Sequence, residues 1–446
     1  MGLYSLFIEK ILLPAGDALF GGNYLKTMKT WEQYDTFSEQ SLLKIQDDAL
    51  EQILKYSIKH VPFYKNQVYD SQKSPQQNLQ HFPVLTKDIL RGHSADLVSN
   101  EFNTADLKKN FSSGSSGVQS FSYSEKKNSF YLQGISSHWY RWGGYRFGQP
   151  TLQFGISPKR TLPKKLKDFF YKVNYQNAFV LSDADYAQIY LDLKKDKTRH
   201  IIGYPSAINQ FAEYLIKNKL SFGIESIISL GDKLFPHYET HFNTAFANPK
   251  IIDTYGCAEG FLIACKYDLP YYYISAPHLY VEIVDEHNSR VPDGTLGHVL
   301  ITCFSNVAQP FLRYKLGDLG IMLPKEKYPE NRAFEYPLLE KIVGRETDIV
   351  KTPNGKTLIV HSFTGIIEYF PDILQYRIIQ DTIAAIVIEY RTDARIPLQE
   401  DTLEKIEEEI NLLTDSSLKI IFKKVDSIPA TPSGKPQIIK SNLIVK

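Results

Sequence analysis

A serine- and glycine-rich stretch has the composition of a phosphate-binding loop. Residues 111–120 read FSSGSSGVQS, and no large apolar side chain falls between Ser112 and Gly117. Gly114 and Gly117 permit backbone angles closed to other residues, so successive N–H groups can turn toward one point and bind an anion. Further donors come from the hydroxyl groups of four serines: Ser112, Ser113, Ser115 and Ser116. A polyphosphate suits such a loop, although Gly/Ser runs are also typical of flexible linkers.

Four later stretches carry side chains that could act together with this loop. Residues 255–260 follow a predicted strand and supply an aromatic ring, a tight turn and one carboxylate. Residues 312–320 place Asp318 beside a glycine, Arg345 follows a glycine, and Lys435 lies in a Ser-Gly-Lys turn near the end of the chain. Taken singly, each has a plain structural explanation: a core aromatic, a solvated acid, a turn aspartate, a surface ion pair or a mobile surface lysine.

The elements that would position these residues alternate between strands and helices. Short apolar runs predict strands, and apolar residues at helical spacing predict the helices between them. The strands are predicted at 151–156, 201–204, 226–231 and 250–256, and the helices at 206–218 and 237–246. This alternation is typical of an α/β fold with parallel strands, in which ligands bind on the loops that follow the strand ends.

Two further regions have different patterns. Strands dominate between residues 271 and 304, which predicts a mostly antiparallel or barrel-like subdomain. A composition change at 322–338 precedes a smaller region with strands at 384–389 and 418–424 around a helix at 402–413. We therefore expect an α/β protein with a large amino-terminal domain and a small α+β carboxyl-terminal domain that has its own core.

Composition argues against several classes of protein. The net charge is +1 over 446 residues, so no bulk attraction to nucleic acid is expected. Cys257, Cys265 and Cys303 are too few for a disulfide framework and lack zinc-ligand spacing, which favours a reducing compartment, the cytoplasm. No apolar run is long enough to span a membrane. Residues 1–22 predict a short amphipathic helix that would touch a membrane surface at most weakly.

In order and spacing, the five stretches resemble the motifs of the adenylate-forming superfamily of acyl- and aryl-CoA ligases, peptide-synthetase adenylation domains and luciferases. The family loop pattern (Ser/Thr)-Ser-Gly-(Ser/Thr)-(Ser/Thr)-Gly is fully present at 112–117, and the other motifs follow in family order. HVPFY at 60–64, FPVLTK at 82–87 and the stretch at 375–390 look like the phenylacetate–CoA ligase branch. That branch includes ligase-like proteins of capsular polysaccharide gene clusters.

The resemblance implies a nucleotide site for ATP and Mg²⁺. The loop at Ser112–Gly117 would hold the β- and γ-phosphates, Tyr255 would stack on adenine, and Asp318 would accept the ribose hydroxyls. Thr254, Gly256 and Lys315 belong to the same motifs. Glu259 would hold Mg²⁺, Arg345 would lie near the ribose and phosphate, and Lys435 would approach the negative charge that develops on the reacting oxygens.

The acyl pocket is expected between residues 229 and 259, because those strand ends would face the nucleotide. Its candidate residues are Gly231, Asp232, Cys257 and Ala258, with Trp139 and Tyr140 as further candidates. The domains are expected at 1–343 and 351–446, joined by a hinge at 344–350 about which the small domain would rotate between half-reactions.

Three positions depart from the family pattern. Val118 follows the loop where the family usually has Pro-Lys, Lys315 stands where an arginine is common and would lose its bidentate fork, and Thr347 replaces a common aspartate. Three functions remain open. The first is activation of a carboxylic acid to an acyl-adenylate and its transfer to coenzyme A. The second is transfer to an amine, sugar or protein in polysaccharide biosynthesis, and the third is nucleotide binding without turnover. The acid and the oligomeric state are not specified.

Overall fold

The structure is a computed structural model that describes most of the chain. The described residues are 2–19, 21–111, 121–156, 160–178, 181–257, 259–345, 349–367, 369–370, 372–392, 398–428 and 438–443. Among them no helix is both long enough and apolar enough to cross a membrane.

The described α-helices are spread over the whole chain. In chain order they are α1 (Leu3–Phe7), α2 (Leu13–Leu19), α3 (Tyr24–Tyr34), α4 (Glu39–His60), α5 (Pro75–Leu79), α6 (Lys87–Gly92), α7 (Lys126–Trp142), α8 (Leu162–Tyr171), α9 (Asp183–Asp196), α10 (Pro205–Lys217), α11 (Pro236–Phe246), α12 (Val360–Ile367) and α13 (Thr402–Thr414). A π-helical segment, Ile8–Leu12, joins α1 to α2, and 3₁₀ turns lie at Pro62–Tyr64, Thr104–Asp106 and Lys325–Lys327.

The described strands form one large sheet and three smaller ones. They are β1 (Lys108–Phe111), β2 (Phe121–Ser124), β3 (Thr151–Gly155), β4 (Val173–Asn177), β5 (His200–Gly203), β6 (Ser226–Ser229), β7 (Lys250–Gly256), β8 (Leu262–Lys266), β9 (Tyr272–Ile274), β10 (Leu279–Val284), β11 (Leu296–Cys303), β12 (Tyr314–Met322), β13 (Leu338–Arg345), β14 (Ile349–Lys351), β15 (Thr357–Ile359), β16 (Ile373–Thr382), β17 (Ala385–Thr392), β18 (Lys419–Lys424) and β19 (Ile439–Ser441).

The large sheet has eleven strands in the order β10-β11-β12-β13-β9-β8-β7-β6-β5-β3-β4. The strands from β7 to β4 are parallel, whereas the pairings from β7 across to β10 are antiparallel. Successive strand residues point to opposite faces. Ile201 and Ile227 accordingly pack in a core with residues of α9, α10 and α11, and Ile202 and Ile228 pack in a second core with residues of α7. Helices on both faces explain why β5 and β6 are entirely buried.

A separate four-stranded sheet, β18-β17-β16-β19, lies in the carboxyl-terminal region and packs with α12 and α13 around its own core. The predicted α/β class with a smaller α+β region is therefore confirmed. The antiparallel strands predicted at 271–304 are also present, and they continue the large sheet. The positions of α8, β4 and α9 were not predicted. Of these, β4 is a half-buried edge strand and has no apolar run that would indicate a strand.

The imidazole of His200, at the start of β5, links this strand to the start of β6 and to the residues that precede β3. The ring is fully buried, its Nδ1 lies 2.8 Å from the Ser226 hydroxyl, and its Nε2 lies 2.8 Å from Gln149 Oε1. One donor and one acceptor are what a neutral imidazole provides. Burial lowers the pKa of His200 to about 4, from an ordinary value of 6.5.

We expect His200 to make the protein acid-sensitive. Because its pKa is lowered in the folded state, the unfolded chain takes up the proton first, and stability is lost as pH falls from 6.5 toward 4. His200→Gln should be less stable than wild type at pH 7, but the difference in unfolding free energy should shrink by about 2 kcal/mol by pH 4.5. Urea titrations of both proteins at several pH values measure this. A difference that does not change with pH would contradict it.

Candidate active site

The first residues of β12 are held by an element from the front of the chain. Leu85, in the FPVLTK stretch, forms a parallel bridge with Tyr314: its N–H donates to the Arg313 carbonyl (3.1 Å) and its carbonyl accepts from Lys315 N–H (2.9 Å). The next residue, Thr86, accepts a hydrogen bond from Ile89 N–H at 3.3 Å and caps the start of α6. This stretch therefore fixes where β12, and with it Asp318, lies in the fold.

A buried ion pair strengthens the same region. The Arg313 guanidinium contacts the Glu282 carboxylate at 3.2 Å, and both side chains are almost completely buried. Arg313 also donates to the carbonyl of Asn288 at 2.8 Å, and Gln80 donates to Glu282 at 2.7 Å. A buried pair needs such additional hydrogen bonds to offset its desolvation. Arg313 thus serves to position β12.

Three of the predicted site residues meet at β12. The Tyr255 hydroxyl, at the end of β7, donates to Asp318 Oδ2 at 2.8 Å, although three strands lie between β7 and β12 in sheet order. The backbone of Arg345 in β13 pairs directly with Asp318. The side chain of Arg345 lies outside the described part of the structure. The fold therefore brings an aromatic ring and a carboxylate together beside the strand that carries Arg345.

A second hydrogen-bonded pair joins the loop after β7 to the first residue of β12. The Tyr314 hydroxyl donates to Glu259 Oε1 at 2.9 Å. Tyr314 is fully buried, and burial, followed by the charge of Glu259, raises the pKa of Tyr314 above its ordinary value. The phenol therefore stays protonated and can hold the Glu259 carboxylate in one orientation. The sequence motif contained Tyr314, but no role was predicted for it.

The thiol of Cys257 is held in its neutral form. Burial, and then the neighbouring Glu259 carboxylate, raises the pKa of the Cys257 thiol well above its ordinary value. A thiol is a nucleophile only when it is deprotonated. The Cys257 thiol is therefore not suited to attack a substrate, and its predicted place in the acyl pocket stays a prediction.

The loop after β6 is constrained at Gly231 and Asp232. Gly231 has φ +76°, and a Cβ at this position would lie 2.8 Å from a ring carbon of Tyr204. A larger residue would be both strained and crowded. The Asp232 carboxylate accepts hydrogen bonds from the Ser206 hydroxyl and from Lys233 N–H, each at 2.8 Å. Both predicted pocket residues thus hold the shape of the loop.

Lys233, which was not predicted as a site residue, connects this loop to β13. Its Nζ donates to the Val343 carbonyl at 2.9 Å, immediately before Gly344. Burial lowers the pKa of Lys233 to about 8, and the positive charge of Lys341 adds to the effect. A lysine directly after a Gly-Asp pair at a strand end was the available sequence signal.

The pKa of Lys233 predicts a stability change in alkaline solution. Because that pKa is about 8 in the folded protein and 10.5 ordinarily, the unfolded chain holds the proton more tightly, and stability rises with pH between these values. Between pH 7.5 and 10, the free energy of unfolding of wild type should rise by about 2 kcal/mol relative to that of Lys233→Met. Chemical unfolding of both proteins measures this, with the exposed Lys250→Met as control. Equal pH profiles for wild type and Lys233→Met would overturn it.

Other predicted residues are placed as follows. The Thr254 hydroxyl donates to the Ser229 carbonyl at 2.9 Å, and a Cβ on Gly256 would lie 2.6 Å from the Phe261 carbonyl oxygen. Trp139, on α7, is buried in the core between α7 and the large sheet, and Tyr140 packs against the same core. The loop at 112–117, Ala258, Thr347 and Lys435 lie outside the described residues. Within the described ranges, no three metal-ligating side chains cluster. A single oriented carboxylate such as Glu259 nevertheless fits Mg²⁺, which commonly shares its ligands with waters and substrate phosphates.

Comparison with known proteins identifies the superfamily. The family described as AMP-binding enzyme matches residues 177–308, and the CapK C-terminal domain matches residues 350–442. The chain is an adenylate-forming superfamily member of the CapK-like branch. Protein CapK of Staphylococcus aureus is 22% identical to this CapK-like chain over 446 residues, 95% of each protein. The phenylacetate-coenzyme A ligase of Pseudomonas putida is 38% identical over 74 residues, 16% of each.

Solved structures share the fold of this CapK-like chain. A 2-hydroxyisobutyryl-CoA ligase in the postadenylation state, in complex with R3-HIB-AMP, matches with a TM-score of 0.70 and 18% identity over 92% of both chains. The same ligase in the thioesterification state matches with a TM-score of 0.54 and 19% identity over 90% of this chain and 89% of that one. The architecture is therefore that of an adenylate-forming ligase.

Proposed function

We propose that this protein activates a carboxylic acid with ATP. One oxygen of the substrate carboxylate attacks the α-phosphorus, the bond from that phosphorus to the bridging oxygen of the β-phosphate breaks, and pyrophosphate leaves. The product is an acyl-adenylate. The observation that carries the proposal is the pair of hydrogen bonds Tyr255–Asp318 and Tyr314–Glu259 at one side of the sheet. They orient an aromatic ring and two carboxylates around the end of β7 and the first half of β12, as a nucleotide with its cation requires.

The two hydrogen-bonded pairs would divide the binding of the nucleotide and its cation between them. The ring of Tyr255 would stack on adenine, while its hydroxyl orients Asp318 to accept the two ribose hydroxyls. Glu259, held by Tyr314, would bind Mg²⁺, which neutralises phosphate charge when bound. Both reactants are anions, so positioning and charge neutralisation carry this reaction.

The remaining tasks are proposed from the sequence motifs. The loop at Ser112–Gly117 would cradle the β- and γ-phosphates, and Lys435 and Arg345 would meet negative charge near the α-phosphate. Lys315 would support the nucleotide from β12. Gly231, Asp232, Cys257 and Ala258 would border the acyl group.

We also propose a hinge at 344–350 between domains at 1–343 and 351–446. The last residues of β13, Gly344 and Arg345, still pair with β12, whereas β14 begins at Ile349 and pairs with β15. This change of partners within a few residues supports a pivot at that point. Rotation would move Lys435 away and admit the acceptor.

Coenzyme A is our first candidate for the acceptor, in keeping with the phenylacetate–CoA ligase-like motifs. Similarity to CapK along 95% of the chain, against 16% for the phenylacetate ligases, favours a second candidate: an amine, sugar or protein acceptor in polysaccharide biosynthesis.

Pyrophosphate release with a panel of aryl, aliphatic and amino acids tests the proposal. We expect ATP- and Mg²⁺-dependent release with at least one acid, and a mass corresponding to its acyl-adenylate. Addition of coenzyme A should then give a thioester. An adenylate without a thioester would favour the second acceptor class. Binding of ATP without release across the panel would support a nucleotide-binding protein that lacks turnover.

A further inference from the structure

Helix α8 leaves an apolar stripe in solvent. Leu162, Leu166 and Phe169 are 81%, 57% and 74% exposed. Their spacing of four and three residues places them on one side of the helix. Soluble proteins expose single apolar side chains freely, but a stripe of large ones marks an interaction surface.

A second apolar stripe lies next to α8, on the helical segment at residues 3–19 that is formed by α1, the π-helical segment and α2. Leu3, Phe7 and Ile11 are 87%, 46% and 59% exposed and are four residues apart. The Tyr4 hydroxyl donates to the Phe170 carbonyl at 2.9 Å, so this segment lies against the end of α8. We call these six exposed side chains the apolar face: Leu3, Phe7, Ile11, Leu162, Leu166 and Phe169.

On the two segments that carry the apolar face, the exposed charged groups are of one sign. The acidic side chains on these two segments are engaged within the protein: Glu9 with Arg141 and Phe147 N–H, Asp17 with two N–H groups that begin α3, and Asp168 with Arg160. The lysines on and directly after the segments are exposed: Lys10, Lys164, Lys165, Lys167 and Lys172. A partner of this surface must therefore be apolar in the middle and negatively charged around it.

We propose that the apolar face docks on the surface of a membrane that contains anionic lipids. The six apolar side chains would enter the boundary between headgroups and acyl chains, and the lysines would contact the headgroup phosphates. A second copy of the chain fits less well, because pairing this surface with itself would oppose two sets of lysines without exposed acidic partners. Docking would hold the enzyme at a membrane surface and is independent of which acid it activates.

Vesicle flotation tests the proposal on the full chain. Wild type should float with phosphatidylcholine vesicles that contain about one third phosphatidylglycerol, should not float with phosphatidylcholine alone, and should be released by salt. Leu162→Ser/Phe169→Ser and Lys164→Glu/Lys165→Glu should each reduce the bound fraction about tenfold or more.

Matched controls come from equally exposed positions elsewhere. Leu412→Ser removes a side chain that is 74% exposed on α13, and Lys194→Glu/Lys195→Glu reverses an exposed lysine pair on α9. Both controls should float like wild type, and all variants should keep the wild-type thermal midpoint because the changed side chains lie in solvent. Absence of flotation at low salt, or equal losses in the controls, would overturn the proposal. A wild-type dimer that Leu162→Ser/Phe169→Ser makes monomeric, without vesicle binding, would assign the face to a second copy.

Discussion

Lys435→Ala is expected to slow adenylate formation by on the order of 10²–10³-fold while leaving transfer from a supplied acyl-adenylate nearly unchanged. Both reacting groups are anions, and the positive charge that we propose for Lys435 counts most in the transition state. Once the adenylate is formed, that charge is no longer needed at the reacting oxygens. The asymmetry between the half-reactions is therefore the signature of the proposed role.

Single-turnover measurements of the two half-reactions check this. Pyrophosphate release reports the first, and consumption of a synthetic acyl-adenylate by the acceptor reports the second. Lys419→Ala, which removes an exposed lysine on β18 in the carboxyl-terminal region, is the control and should leave both half-reactions unchanged. Equal losses in the two half-reactions would end the assignment of Lys435 to adenylation.

The second large effect is expected at the ribose. Asp318→Asn replaces a charged acceptor by a neutral amide, and loss of charge-assisted hydrogen bonds should raise the KM for ATP by about 10–100-fold, with a smaller effect on kcat. Tyr255→Phe keeps the ring but removes the 2.8 Å hydrogen bond to Asp318, so about a three- to tenfold increase is expected. The double variant should lose less than the product of the two factors, because the side chains act together.

Comparison of ATP with 2′-deoxy-ATP distinguishes this role from a structural one. Wild type should prefer ATP, whereas Asp318→Asn should treat the two nucleotides almost alike, because the acceptor for the 2′-hydroxyl is weakened. Asp293→Asn, at the turn before Gly294, serves as the control and should keep the wild-type ratio. If Asp318→Asn also kept that ratio, Asp318 would not be the ribose acceptor.

Strands and helices with a regular apolar pattern were predictable from the sequence. The strand predicted at 250–256 has the same bounds as β7, and the helix predicted at 402–413 differs from α13 by one residue at its end. Elements without that pattern were missed. The strand β4 (VNYQN) has no apolar run, and the apolar stripe of α8 faces solvent. Apolar periodicity predicts elements that bury an apolar face, and neither of these two elements does so.

The contacts between site residues depended on the tertiary fold. Tyr255 and Asp318 are 63 residues apart, and only the sheet order and the bridge of Leu85 to β12 place their side chains 2.8 Å apart. For the same reason Lys233 was overlooked: its contact with Val343 and its lowered pKa come from burial against β13, 110 residues later.

By itself the sequence determined the class of fold and the superfamily, because apolar periodicity and the order of short motifs are local properties of the chain. The tertiary structure decided which of those motif residues meet, which tyrosine orients each carboxylate, and which apolar stripe remains in solvent. Hydrogen bonds and burial are properties of neighbours in space. In this protein the neighbours of the proposed nucleotide site come from the front of the chain, from two parallel strands and from the strands that precede the proposed hinge.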